Sequence, residues 1–457
     1  MDELTRNIKK LKTKSSCGKD GIRNIMLKNL SRNYLYLVLR LCNLSLETGK
    51  IPISWKKSII TMIPKGAKLA TDPNNYRPIS LLSCLSKLIE RIVAQRLIKF
   101  LETSGFLSSQ QSGFRKGRRT TDNLMFQTQK IMEAFDKKEK VLSLSFDIQA
   151  AFDAVWHEGL IRKMQKAGVP EYIVEWTRFF LAERSFEVKV GDVLSETCSI
   201  ATGVPQGSSI SPILFSIFIN DIPIRTGSDN TYSLLFADDL TVLFVYSKIT
   251  LREDNVSSRV RTYLSEIERW LCKWRMKMAP SKCNYSVFSK GNTTKNKFGL
   301  KLFGEEIPHE RHPVSLGVTF DENLNFKSHI QKMKAKCNQR MNIIKILSHR
   351  SWKLKSSTLV SIYNSLVGSV LDYSAFMYPG LSDNLKKSIQ AIQNKAMRLI
   401  FERNWSKIGF NESTSSLCVI SGLPPVGVRM KGLNTNYFRK AVSSNNDLIK
   451  KLQENYS

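Results

Sequence analysis

Long apolar runs, paired cysteines and acidic residues are all scarce in this sequence, and each shortage removes a class of protein. No apolar stretch approaches the roughly 20 residues that a helix needs to cross a bilayer, so no membrane-spanning role is expected. The eight cysteines (Cys17, Cys42, Cys84, Cys198, Cys272, Cys283, Cys337 and Cys418) are scattered, with no Cys-x-x-Cys pair. Neither a zinc knuckle nor a disulfide framework is readable from them. Reduced, mostly buried thiols in an intracellular chain, nuclear or cytoplasmic, are expected. The N-terminus, Met1-Asp-Glu-Leu-Thr-Arg6, is charged and unlike a secretory leader. No internal repeat occurs. Acids are few against bases, 39 Asp and Glu to 70 Lys and Arg, for a formal net charge of +31.

What is present describes a globular protein. Its 457 residues are 42% hydrophobic and 24% charged, enough for about two to four domains with buried cores. The charge is unevenly placed. Lys327 to Arg403 holds fourteen basic residues against Asp372, Asp383 and Glu402, whereas Ser143 to Leu240 holds seven basic against thirteen acidic. A basic surface alone would equally suit a ribosomal or membrane-surface protein. An acidic centre between basic arms suits a chain that grips polyphosphate while gathering metal ions at one place.

That centre has a focus at Asp238-Asp239, set in the run Ser233-Leu-Leu-Phe-Ala-Asp-Asp-Leu-Thr-Val-Leu-Phe244. Two short runs of β-formers around adjacent acids predict a tight hairpin with the acids at its tip. Adjacent carboxylates repel, and holding both near neutral pH calls for a cation. Asp147 ends another apolar strand, Val141-Leu-Ser-Leu-Ser-Phe146. Brought beside the hairpin, it would complete an oxygen-only site suited to Mg²⁺. Two such ions, about 3.5–4 Å apart, could align the attacking and leaving oxygens of a phosphoryl transfer. The plain alternative is an acidic turn on a solvated edge.

Residues 1–135 are basic and mainly helical in pattern, with Leu85, Leu88, Ile89, Ile92, Leu97 and Leu101 at helical spacing and Gly105 as a stop. The glycine-broken loop Gln110–Thr121, with Arg115, Lys116, Arg118 and Arg119, is either a solvated connector or a contact for nucleic-acid phosphates. Residues 136–320 mix strands and helices, which predicts an α+β layer with helices on one face of an antiparallel sheet. One helix carries Leu160, Ile161 and Met164 and ends near Gly168 and Pro170. Another starts at Ser211-Pro212, read as a cap followed by a first-turn proline. Residues 325–405 predict a helical bundle with three apolar stripes (Ile330 to Ile344, Leu359 to Val370, Leu385 to Leu399) and lysines and arginines outside. Beyond about 405 the pattern weakens into an Asn/Ser-rich tail of uncertain order.

Several further motifs occur in order along the chain: Gly18-Lys-Asp-Gly-Ile22, Ile63-Pro-Lys65, Tyr76-Arg77-Pro-Ile-Ser80, Phe146-Asp147-Ile-Gln-Ala-Ala-Phe152-Asp153, Gly203-Val-Pro-Gln-Gly-Ser208, Phe236-Ala-Asp238-Asp239, Ala279-Pro-Ser-Lys282-Cys283, Leu316-Gly-Val318 and Gln393-Asn-Lys-Ala-Met-Arg398. With them the chain resembles the reverse transcriptases of non-LTR (LINE-type) retrotransposons, particularly the Jockey-related group, over roughly residues 5–405.

The resemblance implies a right-hand polymerase. Residues 1–135 would be fingers, 136–322 an antiparallel-sheet palm, 323–405 a helical thumb and 406–457 the tail. It implies RNA-directed DNA synthesis from dNTPs, an RNA template and a DNA primer, with two Mg²⁺ (or Mn²⁺). Asp147, Asp238 and Asp239 would hold the ions, Ile148 would offer them a carbonyl, and Lys282 would act as general acid toward pyrophosphate. Lys65 and Arg77 would neutralise the triphosphate. Phe152 would exclude a 2′-hydroxyl, and Gln206 and Gly207 would lie against the nascent pair. Arg115, Lys116, Arg118 and Arg119 would hold the nucleic-acid backbone, and Leu316 and Gly317 the primer. Here Phe236 stands where Tyr is commoner, Lys19 where Pro is, and Cys283 where Thr is. Complete elements carry an endonuclease ahead of the polymerase. None is expected in this chain, nor an RNase H segment, so cleavage would come from a separate or missing domain. The rival is a catalytically silent nucleic-acid-binding remnant. An RNA-templated RNA polymerase is disfavoured by Phe152.

Overall fold

The computed structural model describes residues 1–66, 71–247, 253–291, 298–401, 413–444 and 446–454. Their strands run, in chain order, as β1 (Lys57–Pro64), β2 (Tyr76–Leu81), β3 (Lys140–Phe146), β4 (Arg184–Val190), β5 (Val193–Leu194), β6 (Cys198–Ile200), β7 (Thr231–Phe236), β8 (Asp239–Tyr246), β9 (Asn284–Phe288), β10 (Lys301–Leu302), β11 (Glu305–Glu306), β12 (Val314–Ser315) and β13 (Val318–Thr319). With the helices between them they make an α+β fold of two compact units. The first comprises Met1–Phe114, Asp147–Ile224 and Tyr263–Ala279; the second comprises Arg115–Phe146, Arg225–Thr262 and Pro280–Ser457. Both are discontinuous, unlike the contiguous segments read from sequence, because strands far apart in the chain pair with one another. No helix among the described residues is long and apolar enough to cross a membrane.

In the first unit β1 is rich in β-branched residues, Ile59, Ile60, Thr61 and Ile63, which favour extended backbone. It pairs antiparallel with β2 and parallel with β4, so this sheet is mixed. β2 lies at its edge, where Pro78, with no N–H to give, is tolerated. The mainly helical pattern expected over 1–135 therefore conceals two strands, since Ile59–Ile63 is a near-continuous apolar run and β2 is broken by Arg77 and Pro78, so neither alternates cleanly. The helix Cys84–Thr103 does follow its predicted spacing, with Leu88, Ile89, Ile92, Leu97 and Leu101 buried, and Gly105 just past it takes φ +65°. Ser211 is not a cap. Ile210 occupies the cap position of the helix Ser211–Ile219, and the Ser211 hydroxyl lies buried without a partner. The turn before it is held instead by Ser208, whose hydroxyl accepts from the Ile210 amide at 3.2 Å. On the neighbouring helix His157–Lys166, the buried Lys163 donates to Asp221 at 2.5 Å and to the Phe218 carbonyl, over the rings of Trp270 and Trp274. Burial lowers its pKa to about 8.

The second unit is built on the sheet β7–β8–β3–β9, antiparallel throughout. The helix Thr120–Asp136 packs on β3 and β7. One continuous core runs from Leu124, Val141 and Leu243 through Phe320 and Ile330 to Ile392 and Leu448. The helices Lys327–Leu347 and Asp383–Phe401 carry the first and third stripes. The second is interrupted: a π turn at Asn364–Gly368 separates Ser356–Tyr363 from Ser369–Tyr373. Arg340 donates to the Leu366 carbonyl there at 2.6 Å, which draws that carbonyl out of the regular ladder.

The tail whose order the sequence left open is largely helical among the described residues beyond 413. Thr414–Ser421, Val426–Val442 and Asp447–Glu454 are helices whose Leu417, Val426, Met430, Ala441, Leu448 and Ile449 join the core. Their apolar residues are widely spaced among Asn, Ser and Lys, so the stripe is faint in sequence. Polar anchors secure them as well. Arg429 meets Asp372 through two bonds of 2.7 Å, and the buried Asp122 accepts from the Arg119 amide (2.9 Å), Tyr437 (2.9 Å) and Asn446 (3.1 Å). The cysteines are all free thiols, four of them buried, whereas Cys198 and Cys272 are exposed. Leu448→Ala is predicted to destabilise the protein by about 2–5 kcal/mol in urea unfolding, the cost of an unfilled core site. A loosely attached tail would give no change.

Candidate active site

In the second unit β7 and β8 close a two-residue hairpin: Phe236 is opposite Asp239, leaving Ala237 and Asp238 as the turn. Ala237 takes φ +57°, the left-handed conformation a tight hairpin of this length asks of its first central residue and usually assigns to glycine. Holding an alanine there costs on the order of 1 kcal/mol, strain that the flanking strands impose. They can do so because β3 and β8 are almost wholly buried. The two acids therefore sit at the tip, as the alternation predicts, with Asp239 exposed and Asp238 half-buried.

Register decides what lies beside them. β3 and β8 are paired from Lys140 opposite Tyr246 to Phe146 opposite Leu240. Asp147 is one peptide bond beyond Phe146, and Asp239 is one before Leu240. At the same end of β3, Ser145 faces Asn284 of β9, and Lys282 precedes Asn284 by two residues in an exposed turn. Behind the tip is a small cavity of about 50 Å³, lined among others by Asn123, Ser145, Phe236, Asp239 and Leu316. Leu316 belongs to the two-residue turn of the β12–β13 hairpin. Its φ of +46° and the +81° of Gly317 are those of a type I′ turn. Tyr373 donates to the Leu316 carbonyl at 2.7 Å and fixes it. The loop ahead of the helix Thr120–Asp136 presents Lys116 and Arg119 exposed, with Arg115 and Arg118 half-buried.

The first unit gathers the remaining candidates around the Gly203–Ser208 loop. Gly203 and Gly207 take φ +90° and +123°, and a Cβ on them would stand 2.7 Å from the Asp153 carbonyl oxygen and 2.6 Å from that of Ser80. Only glycine permits so close an approach. Backbone bonds stitch the loop on both sides: Gly203 to the Val155 carbonyl (2.8 Å), Val204 to that of Phe152 (2.8 Å), and Ser80 to that of Gln206 (2.7 Å). Phe152 is half-buried, stacked on Phe215 with ring centroids 4.9 Å apart and edge-on to Phe114. Arg77, exposed on β2, pairs with Ile63 of β1, and the Lys65 amide donates to the Asn75 carbonyl (2.7 Å). Ile148 is buried and bridges to Met278.

Two acids not foreseen as site residues hold this loop. Glu90, fully buried on the helix Cys84–Thr103, accepts from Ser86 (2.6 Å), Ser208 (2.7 Å) and the Ser209 amide (2.9 Å). Its signal was an acid on an apolar helix stripe. Asp153 accepts the Gln206 amide on both oxygens at 3.1 Å. Its residue has an open edge, yet surrounding protein crowds the carboxyl. That burial raises its pKa, against the lowering effects of the Gln206 bond and the Lys65 charge. Upstream, Gly18 fits against the Leu82–Ser83 backbone, where a Cβ would stand 2.5 Å from the Ser83 nitrogen. Lys19 pairs with Glu187 of β4 at 2.7 Å.

Among the described residues, no three His, Cys, Asp or Glu side chains form a group that could hold a metal ion by themselves. The acids at the hairpin tip are oxygen donors without a neighbouring His or Cys motif. Such a set fits a hard cation that completes its shell with substrate phosphates and water.

The profile of the family described as reverse transcriptase (RNA-dependent DNA polymerase) matches residues 63–320. The chain belongs to the reverse transcriptase family. Its relatives agree. It is 34% identical to the probable RNA-directed DNA polymerase from transposon BS of Drosophila melanogaster, over 88% of this chain and 44% of that one. It is 30% identical to the RNA-directed DNA polymerase from mobile element jockey of the same species, over 99% of this chain and 49% of that one. To the probable RNA-directed DNA polymerase from transposon X-element it is 32% identical, over 85% and 42%. The chain thus spans somewhat under half the length of the curated relatives it matches. Every candidate residue of this chain, from Lys65 to Gly317, lies inside the matched segment.

Gly203→Ala is predicted to destabilise the protein by about 2 kcal/mol or more, since strain and a backbone clash combine. Gly117→Ala, at φ +77° with no atom within 4 Å of the added carbon, should cost only about 1 kcal/mol. Denaturant unfolding of the two variants separates the contributions.

Proposed function

We propose that this chain is the polymerase part of a mobile element, extending a DNA 3′-hydroxyl along an RNA template with dNTPs. Its arrangement would be fingers (1–135), palm (136–322) and thumb (323–405). The observation that carries the proposal is the register of β3 and β8, which makes Asp147 and Asp239 the chain neighbours of one strand pair, Phe146 and Leu240, with Asp238 in the adjoining turn.

Asp147, Asp238 and Asp239 would hold two Mg²⁺, with the Ile148 carbonyl beside them. Their chemistry is to neutralise phosphate oxygens and favour the attacking alkoxide. Lys65 and Arg77 neutralise the triphosphate as charge moves toward pyrophosphate, and Lys282 supplies the leaving oxygen with a proton. Phe152, held by Phe215, stands under the incoming sugar. Gln206 and Gly207 lie against the nascent pair, Leu316 and Gly317 against the primer. Arg115, Lys116, Arg118 and Arg119 take backbone phosphates.

Purified protein given poly(rA)/oligo(dT), dTTP and Mg²⁺ is expected to extend the primer. Asp238→Ala should lower the rate by a factor on the order of 10³ or more while duplex binding persists. A wild type that binds duplex and never extends it would be a nucleic-acid-binding remnant. Phe152→Val should raise ribonucleotide incorporation relative to dNTP; an unchanged sugar preference in competition assays removes Phe152 from that role.

A further inference from the structure

Gln206 is held by its side chain as well as by its backbone. Its Nε2 lies 3.1 Å from each carboxylate oxygen of Asp153. An ionised carboxylate only accepts, so of the two ends of the amide only the NH₂ can face it, and Oε1 must turn the other way. Backbone and side-chain bonds hold the same loop. Besides the Gly203, Val204 and Ser80 bonds, Thr202 Oγ1 donates to the Asp153 carbonyl at 3.2 Å, and His157 Nε2 donates to the Gly203 carbonyl at 2.7 Å. The Gln206–Asp153 clasp adds to them at the apex, so opening the loop there must break it as well. Asp153 also follows Phe152 directly, so one short segment places the ring at the sugar and the carboxylate that aims the amide.

We propose that Asp153 is a positioning residue that locks the Gln206 amide with its nitrogen inward and its carbonyl oxygen outward. The Gly203–Ser208 loop then offers the nucleotide a hydrogen-bond acceptor at that point. This inference rests on the polymerase reading for its substrate. The clasp itself does not.

Reversing the polarity of the pair tests it. Gln206→Glu sets a second carboxylate against Asp153, and like charges separate. Adding Asp153→Asn restores one donor and one acceptor in the opposite sense, while the carboxylate introduced at position 206 still points an oxygen outward. Hydrogen–deuterium exchange across residues 203–208 of the full chain, without substrate, should rise about tenfold in Gln206→Glu and return to within about threefold of wild type in the double variant. The KM for dTTP on poly(rA)/oligo(dT) should follow the same order. Unchanged exchange in Gln206→Glu overturns the proposal, and so does a double variant no better than the single one. If exchange behaves as expected while wild type fails to extend the primer, the polymerase reading falls and the clasp stands.

Discussion

The pairing of β3 with β8 constrains everything proposed for the catalytic centre. Seven residues of each strand are matched, and nearly all their side chains are buried. A slip of one residue would turn every side chain of a strand to the opposite face. With the core on both strands enforcing one register, the points at which the chain leaves the sheet are fixed as well. Asp147 and Asp239 flank the last matched pair, and the turn that adds Asp238 is tight enough to hold Ala237 at positive φ. β9 extends the same logic to Lys282, because Asn284 faces Ser145. Acids held at the end of a rigid sheet can be brought close without a compensating loop rearrangement.

The acidic centre between Ser143 and Leu240 serves more than one purpose. Asp153 orients Gln206, Asp221 receives the buried Lys163 and the Trp270 indole (2.8 Å), and Glu187 meets Lys19 and Thr197. Glu90, outside that stretch, latches the Ser208–Ser209 turn from within the core, and its charge supports the buried Arg184, whose pKa burial lowers. An ionised group inside a protein persists only when its hydrogen-bonding capacity is used. Glu90 and Asp153 find their partners on Gln206, Ser208 and Ser209, in the segment that carries candidate nucleotide contacts. Part of the negative charge seen in the sequence is therefore internal architecture. Charge balance along a chain does not distinguish an acid that binds a cation from one that fastens a loop.

Much of the second unit was legible beforehand. The β7–β8 hairpin follows from two runs of β-formers around an Asp-Asp pair, and the helices of 327–401 follow from stripes at helical spacing. The misses have separate physical causes. β1 is a near-continuous apolar run that does not alternate, and β2 carries Arg77 and Pro78, tolerated because it is an edge. The break at Asn364–Gly368 comes from an arginine two dozen residues upstream, Arg340, reaching the Leu366 carbonyl. The helices beyond Ser413 expose so much of themselves that few apolar positions mark them, yet Leu448 and Ile449 are as buried as any core residue. Ser211 looked like a cap because a serine before a proline often is one; Ser208 had already taken that turn.

The local elements around the site, the residue types at its tip and, through ordered motifs, the family can all be read along the chain. Those properties depend on near neighbours in the chain, where backbone preference and side-chain periodicity act. The register that sets Phe146 opposite Leu240, the glycine approaches at 203 and 207, and the contacts of Glu90 and Asp153 emerge from the folded chain alone. Each of these is a pairing between segments far apart in sequence, and its free energy arises from burial and hydrogen bonds that exist only once the segments meet.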